Sequence, residues 1–364
     1  MRLAPLAAAG LVVACTPAAS DASGGGAGQS AAPGQSAAAE RNAVPAQTAI
    51  PGQGPRFGLP IACTPGRTCE VQHYVDRDPG PGVRDYRCGR RTYDGHKGVD
   101  FRIPDMAAQR RGVAVLAAAP GRVARLRDGV DDVSIRQDGA PPVNGRECGN
   151  GVVIDHGGGW ETQYCHLARG SLRVKVGDTV AAGQPLGLVG LSGATEFPHL
   201  HFQVHHDGRV TDPWAPAGGD ACNAGTGTGA GPSGPLWSAE VVTQTPYVAG
   251  AVLNLGFAAG PVAMGNIEDG AIAAPTRSSP YIVAYGRGIG LRGGDEVEIG
   301  LTGPGGAELA RGRQPPLDRD KAQYMAYAGK KRPADGWPAG AYTARMRVYR
   351  EGRVALERSV SMRL

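Results

Sequence analysis

Pro198-His199-Leu200-His201-Phe202-Gln203-Val204 alternates apolar side chains with imidazole and amide ones. Alternate residues of a β-strand share a face. Leu200, Phe202 and Val204 therefore belong to a core, while His199 and His201 project together on the opposite side. The surrounding chain repeats this half-buried pattern. Val113-Ala114-Val115-Leu116, Val123 to Leu126, Val152-Val153-Ile154, Val174 to Val180 and Leu186 to Val189 are short apolar runs separated by Gly and Pro. They read as strands joined by tight turns. With Gly 58 and Pro 29 among 364 residues, the composition argues against a helical bundle or coiled coil. Residues 57–216 are expected to form a mainly β, antiparallel domain.

Two further segments carry chemistry. Gly95-His96-Lys97-Gly98-Val99-Asp100-Phe101 reads as a turn entering a strand, because two Gly and a β-branched Val oppose a helix. Tyr164-Cys165-His166-Leu167 lies on the second arm of a hairpin whose strands, 150–155 and 160–166, flank His156-Gly157-Gly158-Gly159. Imidazole nitrogen and carboxylate oxygen are ordinary zinc donors. The helical His-Glu-x-x-His plan of many zinc proteases is absent from the sequence. Taken singly, His-x-His and His166 have ordinary structural readings as core or surface histidines.

Taken together and in order, His-x-x-x-Asp, Tyr-x-His and His-x-His resemble the LytM/lysostaphin-type zinc endopeptidases. The connecting sequence is similar too, in Gly149 to Gly157, in Val176-Gly177-Asp178-Thr179-Val180 with Ala182 to Gly187, and in Asp212-Pro213. The match covers residues 90–216. The resemblance implies one Zn2+ per chain held by His96, Asp100 and His201, with His166 and His199 working beside it as the catalytic pair. Three protein ligands leave a zinc position open, as a catalytic site requires. The implied reaction is hydrolysis of peptide bonds in peptidoglycan stem peptides or cross-bridges. Two other classes are a wall-binding or amidase-activating module on the same fold, and a zinc protease acting on proteins. The intact residue set opposes the first, and a casein or oligoglycine digest discriminates the second. His73, His156, His205 and His206 are expected to be non-ligands, and Asp94, Asp105 and Asp155 to be turn or surface residues. Residues 57–90 and 128–147 are additions to the minimal domain, either bordering the groove or bracing the fold.

The remainder organises around this domain. Residues 1–14 read as an export signal, since their apolar run is too short for the roughly 20 residues that span a bilayer. Leu11-Val12-Val13-Ala14-Cys15 resembles a bacterial lipobox, which implies a lipid on Cys15 and a place in the cell envelope. Residues 15–56, rich in Ala, Gly, Ser and Pro, read as a flexible tether, and 217–235 as a second linker. Residues 236–364 contain neither Cys nor His, and their short strands suggest an immunoglobulin-like β-sandwich. The strands include Val241-Val242-Thr243, Tyr281-Ile282-Val283, Val297 to Leu301 and Tyr342 to Tyr349. Its role is open, a protein partner included. Six of the seven Cys lie beyond Cys15, which suggests disulfides in an exported chain. Cys148 and Cys165 fall nearly opposite each other on the hairpin, so they are expected to pair. The net charge of +5 comes from interspersed charges, and no nucleic-acid partner is expected.

Overall fold

Ten short strands carry the first packed body of the structure, a computed structural model that describes residues 54–216 and 234–364. The expected signal, Cys15, most of the tether, most of the second linker and Cys222 lie outside the described residues. The strands are β1 (Glu70–His73), β2 (Val99–Arg102), β3 (Ala114–Leu116), β4 (Gly121–Arg127), β5 (Asn150–Gly157), β6 (Trp160–Leu167), β7 (Thr179–Val180), β8 (Pro185–Leu188), β9 (His199–His206) and β10 (Arg209–Thr211). One antiparallel sheet runs β1-β2-β9-β6-β5-β4-β7, with β10 also paired to β9, while β3 and β8 form a small second sheet. Helix is scarce: α1 (Met106–Arg111) is a short turn capped by Asp105, whose carboxylate accepts from Ala108 N.

The alternation of β9 is realised. Leu200, Phe202 and Val204 are completely buried beside Val99, Phe101, Val152, Ile154 and Tyr164. The expected hairpin forms, with Asn150 opposite Leu167. The Cys148–Cys165 bridge closes its base, a second disulfide joins Cys63 to Cys69, and Cys88 is disulfide-bonded as well. Of the run Val174 to Val180, only Thr179 and Val180 form a strand. Lys175 N instead donates to the Asp178 carboxylate, and Gly177 turns with φ +93°. Local side-chain bonding of this kind competes with a sheet ladder.

The second body contains β11 (Ala251–Ala258), α3 (Met264–Asp269), β12 (Tyr281–Leu291), β13 (Glu296–Thr302), β14 (Glu308–Arg313), β15 (Lys321–Lys331), β16 (Ala341–Arg350) and β17 (Arg353–Arg363). Two antiparallel sheets, β11-β12-β15 and β14-β13-β16-β17, enclose a core of Ile282, Ile299, Leu301, Trp337, Tyr342, Met346 and Val348.

The border between the bodies differs from the expected 235/236. Leu236, Trp237 and Val241 are buried in the first core, and Tyr247 packs on it. Trp237 is 1% exposed, with its ring 5.3 Å from Phe202 and 6.1 Å from Phe101. Val241-Val242-Thr243, expected as a strand, lies in helix α2 (Ala239–Gln244). The Ser238 hydroxyl accepts from Val241 N and caps it, so a strong N-cap overrides β-branching over one short turn. All described residues belong to one compact unit.

Candidate metal centre

Strand register builds the site. His73 pairs with Asp100, Asp100 with His201, and His201 with Cys165, so one row crosses β1, β2, β9 and β6. Adjacent strands lie roughly 4.8 Å apart, which sets neighbouring side chains of such a row within reach of one another. His96 joins from the turn before β2, where His96 N donates to Tyr93 O. Gly98 must be glycine there: a Cβ would lie 2.6 Å from His201 Nε2 and 2.7 Å from Phe202 O.

Nitrogen and oxygen atoms of His96, Asp100 and His201 converge within 4.8 Å of one another. The bonds behind them fix which atoms face inward. His96 Nδ1 donates to Tyr74 O at 2.7 Å, leaving Nε2 to face Asp100 Oδ1 and His201 Nδ1, each 3.2 Å away. His201 turns Nε2 toward Gln203 Oε1 and Nδ1 toward Asp100 Oδ1, at 2.9 Å. Asp100 is 2% exposed and its surroundings are imidazoles, with no Lys or Arg among the described residues bonded to it. Burial alone would push its carboxyl up, but His96 and His199 hold it well below the usual carboxylate range. A buried carboxylate and two imidazole lone pairs with protons tied back suit a divalent cation of the zinc class.

Two further histidines border this cluster. His199 comes with His201 on β9, and its Nε2 lies 3.5 Å from Asp100 Oδ1. Its Nδ1 donates to Phe197 O at 2.9 Å. His166 reaches the site through an irregularity that periodicity does not show. Tyr164 and Leu167 are both in the core, and His166 between them has φ +64°. This left-handed residue breaks the strand alternation and turns the imidazole toward His199, ring centroids 4.6 Å apart. His166 Nδ1 donates to Ser192 O at 2.8 Å. Burial, then His199 and His201, push its pKa well below the ordinary histidine value, so the ring is neutral with an accepting Nε2. A groove of about 430 Å³ runs past His96, His166 and His201, walled by Tyr93, Glu147, Gln163 and Gln203.

All five residues singled out in the sequence thus meet at one place. His156 instead ties Pro120 O to Thr162, and His206 stacks on Trp160. His205 accepts from the Gln203 amide and lies farther along β9. Asp105 caps α1, while Asp94 and Asp155 are exposed. His73, expected to be a non-ligand, lies against the cluster. Its Nδ1 lies 3.0 Å from Asp100 Oδ2, making it part of the site without joining the three converging residues. The signal available was its place in Gln72-His73-Tyr74-Val75, a strand-like alternation, but cross-strand register is not written in one segment.

A mainly β domain with a His, Asp, His cluster at the centre of its sheet is the class that fold and site define. Residues 94–213 match the model of Peptidase family M23, in agreement with the lysostaphin-type resemblance of the sequence. The chain is similar to an uncharacterized metalloprotease of Haemophilus influenzae, 36% identical over 118 residues, covering 32% of this chain and 20% of that protein. It is also similar to the peptidoglycan DD-endopeptidase ShyA of Vibrio cholerae, 33% identical over 114 residues, covering 31% of this chain and 21% of that one. These matches thus span about a fifth of the length of those relatives. Among solved structures, the catalytic domain of lysostaphin from Staphylococcus simulans aligns at 25% identity with a TM-score of 0.25, covering 39% of this chain and 85% of that one.

Proposed function

We propose that the chain is an exported zinc endopeptidase of the cell envelope that hydrolyses peptide bonds in peptidoglycan stem peptides or cross-bridges, tethered through a lipid on Cys15. The observation that carries this reading is the convergence of His96, Asp100 and His201 beside the buried His166 at one wall of an open groove. The peptidoglycan substrate is supported by the similarity to a peptidoglycan DD-endopeptidase.

His96, Asp100 and His201 would hold the zinc. Bound there, it supplies Lewis acidity that polarises a carbonyl and brings the pKa of water toward about 7. The remaining work falls to the chain's own side chains. His166, with Nδ1 anchored on Ser192 O, presents Nε2 to take a proton from the attacking water and pass one to the leaving amine. His199, whose Nδ1–H is held by Phe197 O, turns Nε2 toward the cluster beside Asp100, where it would donate to the developing oxyanion once Nε2 has taken up a proton. Tyr93, half exposed and lying on the His96 ring at 4.4 Å, and Gln163 bound the groove in which the substrate backbone would lie.

The test is mass spectrometry of peptides released from purified cross-linked peptidoglycan by the zinc-loaded chain, with and without chelator. New termini name the cleaved bond. A folded, zinc-loaded chain that releases nothing from the wall but digests casein would transfer the activity to protein substrates. Release of neither would leave a binding module.

A further inference from the structure

Arg102 occupies a peculiar place in β2. It lies two residues beyond Asp100, on the same strand face, and pairs in register with His199. It is 1% exposed, yet its guanidinium does not serve the first body alone. One arm donates to Gln72 Oε1 at 2.8 Å. The other leaves for the sandwich, donating to Glu268 Oε1 at 2.9 Å and Gln323 Oε1 at 3.1 Å. Glu268 belongs to α3 and Gln323 to β15. The same two oxygens accept from Arg287, which is 0% exposed and donates onward to Pro104 O.

The Arg102 guanidinium lies over Phe197, with Cζ 3.8 Å from the ring centroid. Phe197 in turn frames His199. Its carbonyl accepts from His199 Nδ1, and its ring lies 5.0 Å from the imidazole. A contiguous chain therefore runs from Glu268 and Gln323 through Arg102 and Phe197 to the imidazole beside the metal cluster. Every link is a hydrogen bond, an ion pair or a cation–π contact among residues that pack closely.

We propose that the C-terminal sandwich positions the catalytic His199: Glu268 and Gln323 clamp Arg102 against Phe197, whose carbonyl fixes the imidazole. The inference rests on the role given to His199 above and adds a task for residues 251–364. Glu268 and Gln323 are positioning residues; they act through Arg102 and touch no reacting atom. The physical lever is charge. Two buried guanidinium groups share one carboxylate, so loss of Glu268 removes the ion pair that both make with it. Repulsion between the two guanidinium groups then shifts Arg102 from its place over Phe197. Phe197 and His199 then lose a defined geometry. Active-site misplacements of about 1 Å cost as much as roughly a hundredfold in rate.

The experiment compares the zinc-loaded full chain with Glu268→Ala and Glu268→Gln. For Glu268→Ala, kcat on peptidoglycan fragments falls roughly ten- to a hundredfold while KM stays within about twofold, because orientation is lost and binding is not. Zinc stoichiometry is unchanged. The His199 Nδ1–H resonance, assigned with a His199→Ala variant, shifts or broadens. Glu268→Gln keeps an oxygen acceptor for both guanidinium groups, so it restores most of kcat and the resonance, although its melting temperature drops. A purely bracing role would lower the melting temperature of both variants and leave the resonance in place. A folded Glu268→Ala chain with an unmoved resonance overturns the proposal. If Glu268→Ala does not fold, Gln323→Ala removes one acceptor and is read in the same way. If the wild-type chain hydrolyses nothing, the functional reading fails, yet the resonance still decides whether the sandwich sets His199.

Discussion

His73 donates from Nδ1 to Oδ2 of Asp100 across 3.0 Å, and so commits one oxygen of that carboxylate to β1 while the other faces His96 and His201. The carboxylate is thereby oriented to offer a single oxygen. Outer hydrogen bonds of this kind typically contribute about 10–100-fold in metal affinity. His73→Ala should weaken zinc binding by that factor, measured by competition with a chelating zinc indicator. Unchanged affinity would reduce His73 to a packing residue.

Metal retention and hydrolysis should separate cleanly by residue. His166→Ala keeps one zinc per chain and loses roughly 10²–10⁴ of activity, the range of general acid–base work. Asp100→Ala and His201→Ala lose both. Equilibrium dialysis with elemental analysis, run beside the peptidoglycan digest, distinguishes the groups. A His166→Ala chain that lost its metal would make His166 a ligand.

Stability should depend on pH through Glu70. Burial pushes this carboxyl up to about 7, against the pull of Arg91 and Arg358. Its folded value lies above the ordinary 4.5, so the protonated form favours the fold. That contribution is complete below the ordinary value and is lost as pH rises through 7. Melting temperatures of the wild type should carry a downward slope between pH 5 and 8 that Glu70→Gln flattens. Parallel slopes would refute the assignment.

The Cys148–Cys165 bridge closes a segment of sequence separation 17 at the foot of the hairpin that carries His166. Chain-entropy arguments assign about 3 kcal/mol to a loop of this size. The Cys148→Ala/Cys165→Ala double variant should lose that much in denaturant unfolding. A loss well below 1 kcal/mol would mean that the hairpin is held by its ladder alone.

Residues 57–216 should not be stable by themselves. Trp237 is buried in the core under β2 and β9, and Tyr247 donates to Asp85 at 2.8 Å. A buried Trp→Ala change costs about 3–5 kcal/mol. Both Trp237→Ala and truncation at 216 should lower the melting temperature sharply, and a chain ending after Tyr247 should recover much of the loss. A cooperative, wild-type-like melt of residues 57–216 would show that the indole is dispensable.

Much of the site was legible because strands translate sequence into faces directly. His199 and His201 share a face by period-two alternation, and Asp100 follows from the turn that Gly95 and Gly98 impose. His166 came from its likeness to a family motif rather than from periodicity, since a left-handed residue interrupts β6 there. Contacts spanning distant segments were not legible. His73 meets Asp100 across a register that no single segment encodes. Trp237 and Arg102 were hidden for a related reason: each finds its partners in another part of the chain. In α2, Ser238 capping outweighed the β-branched Val241 and Val242, a local competition that propensity resolves poorly over six residues.

Trp237 also imposes an order in time. A polypeptide emerges amino end first, and its domains tend to fold in that order. Here the sheet bearing the histidines lacks its indole until more than twenty residues after Asp212 have followed. The first core is therefore incomplete until the carboxyl-terminal part is on its way out, and a chain interrupted before Trp237 leaves the histidine cluster on an unfinished sheet.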